Sequence, residues 1–494
     1  MHTGMKAAFA VVAVAVVFRL ILAGFTGLGM DESYMIAASP HFALSYFDHP
    51  LASWWLELAA RHITGIAAPI VVRLPFVVLS AVSSWLLWLI TARLYGQRAA
   101  FWAVVAYSLS PVFSLAAGSW VLPDGPMDTA LLAFLYALIR ALGLPGGKPA
   151  PRWWWAAGLF AGLAMLSKYN AALVLLGAAL GVLFDPAGRR ELRRFAPWGA
   201  VVLAFLLFTP VLYWNAQHGW ASFHYQGGRA EGLRLRPAMP FIIWGGEALF
   251  ILPWLWLPII YLLLRGFWRG AAARTGWLLS WAAVVPVVLF SLVGLWTSTH
   301  VLYHWAAPGY LMLFPALGDW ATRWRPRLRN AVARVTAILL GGAVLILAGE
   351  VSFGIIPRLN QAFPPGKSPL LQAVDWDSVA TQIPPGIDAL AAQRWFDAGK
   401  LGYALRNQHI AITVFGADPH QFGFSVPPAS LIGKNVLLIA MPGNVTSTYE
   451  HYAAYFRSLK PGPALVVQHL GTVLLVIPTF TGKDLLRAPP ATAP

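Results

Sequence analysis

Cysteine is absent from all 494 residues, which excludes disulfides, thiol nucleophiles and Cys-ligated zinc. Acidic residues are scarce at 19, and charged residues of both signs make up 11% of the chain, against about a quarter in soluble domains. Hydrophobic residues replace them, at 58% with 24 tryptophans, in runs near the roughly 20 residues that cross a bilayer. A polytopic membrane protein is the class this composition defines. The net charge of +16 sits in short clusters between apolar runs, the positive-inside pattern of membrane proteins. No basic face or nucleic-acid reader motif accompanies it, so no nucleic-acid partner is expected.

Lys6 ahead of an apolar run resembles a signal peptide, but the run is long and others follow, so a retained first helix is expected. Eleven spans are expected, near residues 7–29, 70–91, 99–117, 126–143, 153–167, 169–184, 197–213, 241–264, 275–294, 303–320 and 331–356. The fifth and sixth are short and meet at Ser167-Lys168-Tyr169 as a bent pair or hairpin. Lys and Arg gather in the loops after even-numbered spans, from Arg93 and Arg98 to Arg323 through Arg334. Those loops are read as cytoplasmic, the N-terminus as inside, and the odd-numbered loops and the C-terminal region as outside.

A transmembrane domain is therefore expected over 1–356 and a small outer α/β domain over 357–494. In the latter, Asn435–Ala440 and Ala464–Val467 read as strands and Gln393–Asn407 as an amphipathic helix, with Pro and Gly turns between them. The proline-rich end from Arg487 is expected to be disordered. Two outer loops are long and patterned. The first, Met30 to Pro69, contains Trp-rich Leu51–Leu58, expected to form an interfacial helix with Pro50 at its first position. The second, Trp214 to Pro240, mixes aromatics with His218, His224, Gln226 and Arg229.

Asp31-Glu32 directly follows the first span. Such a pair is either a solvated helix end or a catalytic centre, with a carboxylate that removes a proton from an acceptor hydroxyl. A carrier whose tail lies in lipid presents its phosphate and sugar at this depth. Asp48-His49-Pro50 supplies either an ordinary N-cap or a helix N-terminus facing a departing phosphate. Lys168 either snorkels to the interface or offsets charge on a leaving phosphate, and Arg229 could do the latter from the second loop. Asp124, between Pro123 and Gly125, fits a turn or a catalytic, acceptor-positioning role. His218, His224, His300 and His304, with Asp31, Glu32 and Asp48, offer ligands for a divalent cation, though no recognised metal motif joins them.

Several of these stretches, in order, resemble a known family. They are Asp31-Glu32, Tyr46-Phe47-Asp48-His49-Pro50, Arg73-Leu74-Pro75, Pro123-Asp124, Gly162-Leu163 through Ser167-Lys168-Tyr169, and Pro210 to Phe223. Together they span about residues 10–330 and resemble bacterial C-type (GT-C) glycosyltransferases that share a domain with dolichyl-phosphate-mannose protein mannosyltransferases. That group includes the lipid A aminoarabinose transferases and the rhizobial lipopolysaccharide galacturonosyltransferases. The resemblance implies inverting transfer of a sugar from a polyprenyl-phosphate donor to a lipid, lipopolysaccharide or protein acceptor at the periplasmic face of the bacterial inner membrane. Asp31 would be the base, and the segment of Asp48 would supply an acidic residue used by some relatives for metal, with His224 a further candidate ligand. The chain departs from the aminoarabinose transferases at His49, where those carry lysine, and near Gln226, where those carry histidine. A transporter of lipid-linked sugars is the rival reading. It is disfavoured because no internal repeat is visible and the polar residues gather at one face. A non-catalytic glycan-binding membrane protein is the other.

Overall fold

The computed structural model describes residues 2–232, 234–297, 301–356, 359–364, 366–440 and 442–489. His300 and the end beyond residue 489, on which two expectations fall, lie outside that set. The chain forms two compact units. The first comprises residues 1–20, 43–53 and 73–344; the second comprises 21–42, 54–72 and 345–494. The boundary expected near 356 has its counterpart at Leu345, and the second unit also takes in two segments from the start of the chain.

The first unit is helical. Among the described residues, five stretches are long and apolar enough to cross a membrane: Gly4–Phe25, Pro69–Tyr95, Phe195–Gln217, Pro253–Val293 and Pro326–Phe353. Gln97–Leu109 and Val112–Ser119 make a sixth if their 80° bend is counted as one broken span. The expected fourth span is the Asp124–Ala141 helix. The fifth and sixth are the short helices Trp153–Met165 and Ala171–Leu183, joined by the hairpin that carries Lys168. The expected span 241–264 is instead two helices, Met239–Ile251 and one that starts at Pro253. Leu252 between them has φ 89°, and the proline brings no N–H to continue the ladder. Likewise, 303–320 divides into Ala307–Leu311 and Phe314–Thr322.

Small residues let these helices touch, as packing in lipid requires. A Cβ on Gly158 would lie 2.4 Å from the Ala200 carbonyl oxygen, and one on Gly318 would lie 2.3 Å from that of Ala99. The aromatic core at the broken span stacks Tyr107 on Phe113 with 5.5 Å between ring centroids.

The second unit is built on a five-stranded mixed sheet. Strands β1 (Ala389–Ala392), β2 (Ala411–Val414), β3 (Val436–Ile439), β4 (Phe456–Pro461) and β7 (Thr479–Leu485) are ordered β2-β1-β3-β7-β4. β1 pairs in parallel with β2 and β3, while β7 runs antiparallel to β3 and β4. Every residue of β1 and β3 is buried, the signature of strands covered on both faces. Strands β5 (Leu465–His469) and β6 (Thr472–Ile477) form a separate hairpin. The strands expected at 435–440 and 464–467 are therefore β3 and β5, and the helix expected over 393–407 runs Trp395–Ala404.

That helix packs on the short Met30–Ala38 helix. Gly399 makes the approach possible, because a Cβ there would lie 2.7 Å from the Tyr34 Cα. The Tyr34 ring meets Trp395, His420 and Phe422 edge-on at 5.0–5.7 Å.

Candidate functional site

In the first unit the loop at residues 43–51 is sewn to the Ala221–Gly228 helix. The Ser222 hydroxyl donates to the Tyr46 carbonyl at 3.1 Å, and the Gln226 amide donates to the Asp48 carbonyl at 2.7 Å. Phe47 packs on Tyr225 with 4.7 Å between ring centroids. The helix that follows starts at Ala52 rather than Pro50, because the Ala52 N–H donates to the Leu166 carbonyl at 3.0 Å. These ties fix His49 against the Lys168 hairpin.

Lys168 is neither snorkelled nor free. Its ammonium donates to both carboxylate oxygens of Asp124 at 2.9 Å, in a pair whose side chains are only 6% and 11% exposed. Asp124 opens its helix, where the unpaired N–H groups and the dipole favour a carboxylate. One turn on, Asp128 is buried with Oδ1 unpartnered among the described residues. His304 stands close enough to Asp124, Lys168 and Arg229 to feel their charge.

Arg229 ends the Ala221–Gly228 helix with its guanidinium 4.4 Å from the Tyr225 ring centroid and 5.3 Å from that of Trp305. It also donates to the Tyr225 hydroxyl, and its carbonyl accepts from Thr297 at 2.7 Å. Two aromatic faces hold a cation that no carboxylate neutralises among the described ion pairs.

Lys168, Arg229, His49, Tyr169, Gln226 and Trp305 line one cavity of about 250 Å³. Apart from Asn170 its remaining wall is apolar, with Leu173, Ala230, Leu289, Phe290 and Val293. Lys168 is balanced by Asp124, so Arg229 is the cation in this wall that has no carboxylate partner among the described ion pairs. His49 adds no charge. Burial first, and then the positive charge of Lys168, push its imidazole down to about 3, so it is neutral at physiological pH. Its Nδ1 has no partner among the described residues. The expectation that His49 offsets phosphate charge thus becomes a narrower one: a neutral imidazole has a single N–H to offer.

Asp48 is buried near His49, whereas His224 is exposed on the neighbouring helix and absent from the cavity wall. Among the described residues no three His, Cys, Asp or Glu side chains form a group suited to a metal ion. His218 stacks on Trp214 at 4.1 Å and bonds its carbonyl at 2.7 Å.

Asp31 and Glu32 belong to the second unit, in the first turn of the Met30–Ala38 helix. Glu32 is buried and accepts from the Gly29 N–H at 2.8 Å, capping its own helix; Asp31 is exposed. The turn before them is clasped from the far end of the chain. Leu28 N–H donates to Asp375 at 2.8 Å and Gly27 N–H to the Ala373 carbonyl at 2.7 Å. Lys400, buried, donates to the carbonyls of Leu28, Val374 and Gln372. Burial pushes the Asp375 carboxyl up, although the Leu28 N–H and Lys400 oppose this. Sequence reading missed Lys400 and Asp375; the only signal was a lysine and an aspartate within otherwise apolar stretches.

The chain thus combines apolar helices that break within their length, a pocket with cationic and apolar walls, and a five-stranded sheet. The family described as dolichyl-phosphate-mannose-protein mannosyltransferase matches residues 48–214, a stretch that includes His49, Asp124 and Lys168. Over 301 residues the chain is 24% identical to the lipid A galacturonosyltransferase RgtD of Rhizobium johnstonii, covering 60% of this chain and 61% of that one. The lipopolysaccharide core galacturonosyltransferase RgtA of the same species is 26% identical over 90% of this chain and 95% of its own. The crystal structure of ArnT from Cupriavidus metallidurans bound to undecaprenyl phosphate superposes with a TM-score of 0.66 at 18% identity, covering 97% of this chain and 98% of that one. In fold the chain resembles ArnT, and in sequence it is similar to galacturonosyltransferases named for lipid A and the lipopolysaccharide core.

Proposed function

We propose that the protein transfers a sugar from a polyprenyl-phosphate donor to lipid A or the lipopolysaccharide core at the outer face of the bacterial inner membrane. The cavity carries this reading, since a cationic end suits a phosphate and an apolar wall suits the first isoprene units of its tail. The names of the similar proteins, two of them galacturonosyltransferases, support the acceptor class. The eleven-span topology with the N-terminus inside belongs to the same reading.

In the proposed reaction an acceptor hydroxyl attacks the anomeric carbon, inverting it. The bond from that carbon to the phosphate oxygen breaks, and polyprenyl phosphate leaves with the electron pair. A phosphodiester carries one negative charge and the departing monoester approaches two. Arg229 and Lys168 therefore matter most as the bond breaks, the condition for raising rate rather than affinity alone. The His49 N–H is suited to one phosphate oxygen. Asp124 holds the Lys168 ammonium in position. Asp31, from the family resemblance and its exposure after the first span, is proposed as the base that takes the acceptor's proton. Asp48 and His224 are left out of the mechanism, and no step is routed through a cation.

The test is transfer of labelled sugar in proteoliposomes that contain lipid A or lipopolysaccharide core. Donors would carry galacturonate or 4-amino-4-deoxy-arabinose on undecaprenyl phosphate. A new glycosidic bond on the acceptor is expected with one of them. Translocation of donor lipid without a new bond would overturn the reading in favour of a transporter. Asp31→Asn with wild-type turnover would remove Asp31 as the base.

A further inference from the structure

Arg19 lies within the first membrane helix, far along the sequence from the cavity residues, and the reaction above does not use it. It is 2% exposed. Its Nε donates to the Ser114 carbonyl at 2.9 Å, inside the broken span. Gly118 gives it room, since a Cβ there would lie 2.8 Å from that Nε. Bracing the break occupies one of the five guanidinium N–H donors. Both terminal nitrogens, with the other four, have no partner among the described residues, and no carboxylate pairs with this arginine among the described ion pairs. A charge left so in hydrocarbon costs several kcal/mol unless something polar meets it.

Beside it lies a groove of about 400 Å³ between the first helix, the Gln97–Leu109 helix with its broken continuation, and the Pro326–Phe353 helix. Val14, Phe18, Leu109, Leu340 and Val344 line it, and Arg19 stands among them. Val14 and Ala337 are exposed at its rim, so it opens outward from the helices. Along the first helix its lining runs from Ala10 to Arg19. At 1.5 Å per residue that is roughly 14 Å, close to half of the ~30 Å hydrocarbon core. One leaflet's depth of apolar wall with an unsatisfied cation at one end matches a bilayer lipid: a chain along the wall, oxygens at the cation.

We propose that this groove seats one acyl chain of a bilayer phospholipid and that the free guanidinium nitrogens of Arg19 bind the phosphate or ester oxygens of that lipid. The site is separate from the sugar-donor cavity, and none of its lining residues is shared with it. It uses the charge that the helix break alone leaves over.

The test uses the full chain in proteoliposomes doped with phosphatidylglycerol bearing a photoactivatable diazirine on its acyl chain, with labelled peptides mapped by mass spectrometry. Labelling is expected to concentrate on residues 10–18 and 333–344. Val14→Trp and Ala337→Trp, both at exposed rim positions, should each cut it at least fivefold while the thermal midpoint stays within a few degrees of the parent. Arg19→Gln should cut it by a similar factor, and Arg19→Lys should keep more of it. Equal labelling in the parent and in both tryptophan variants would overturn the groove. Loss in the tryptophan variants with full labelling in Arg19→Gln would overturn the role given to the arginine.

Discussion

The Lys168 hairpin of the first unit and the turn before Asp31 in the second hold buried cations by opposite means. Lys168 faces a side chain, with both oxygens of Asp124 at 2.9 Å. Lys400 faces backbone, the carbonyls of Leu28, Val374 and Gln372. A side-chain pair can be removed at both ends, leaving nothing unpaired, whereas carbonyls remain whatever replaces the lysine. The first arrangement is therefore separable into stability and chemistry, and the second is not.

The largest expected effect breaks the first arrangement. Lys168→Met should leave Asp124 buried without its counter-ion, destabilising by about 3–5 kcal/mol and lowering sugar transfer roughly a hundredfold or more. Adding Asp124→Leu should restore most of the thermal midpoint and none of the turnover. Recovery of turnover in the double variant would reduce the pair to a structural one. Next, Lys400→Met should cost about 1–3 kcal/mol for each carbonyl left dry, read as a lower unfolding midpoint in detergent. Here no second substitution should rescue it, and a rescuing partner would end the contrast.

Arg229→Lys should lower turnover about tenfold, because a lysine keeps the charge but loses the fork and the stacking on Tyr225 and Trp305; kcat should fall more than KM rises. The pH dependence is smaller. His49 titrates near 3 when folded and near 6.5 when unfolded, so the unfolded chain binds more protons between those values. Its contribution to stability is full above pH 6.5 and is lost as pH falls toward 3, with a slope of at most about 1.4 kcal/mol per unit. His49→Gln should flatten that slope in unfolding measured from pH 7 to 4. The smallest effect is Glu32→Ala, which removes a helix cap worth about 0.5–2 kcal/mol.

Much of the fold is legible along the chain because apolar runs and basic clusters are local signals. The Lys168 hairpin, β3, β5 and the Trp395–Ala404 helix fall close to where residue pattern puts them. The breaks are less legible. The 80° bend after Leu109 and the division at Leu252 interrupt runs whose hydropathy is continuous. In the site, Lys168 stands out as a cation in an apolar stretch, Arg229 and His49 as polar residues of two long patterned loops, and all three line one cavity. Their protonation and partners do not stand out. That Asp124 meets Lys168 across 44 residues, or that His49 is neutral beside it, depends on packing between helices. That Glu32 accepts from the Gly29 N–H at its own helix start is likewise a matter of local geometry, which the acidic pair alone does not reveal.

The second unit gathers residues 21–42, 54–72 and 345–494, and Lys400 reaches back 372 positions to Leu28. Synthesis at about 5–20 residues per second puts the lysine roughly 20–75 seconds behind the carbonyl it holds. Throughout that interval the first span is made and Asp31 follows it with its clasp not yet synthesised. A chain cut short before residue 400 would carry every residue of the donor cavity and still lack the lysine that secures the turn before Asp31. Products that end before residue 400 lack this clasp, and limited proteolysis should cut them near their own beginning faster than it cuts the full chain.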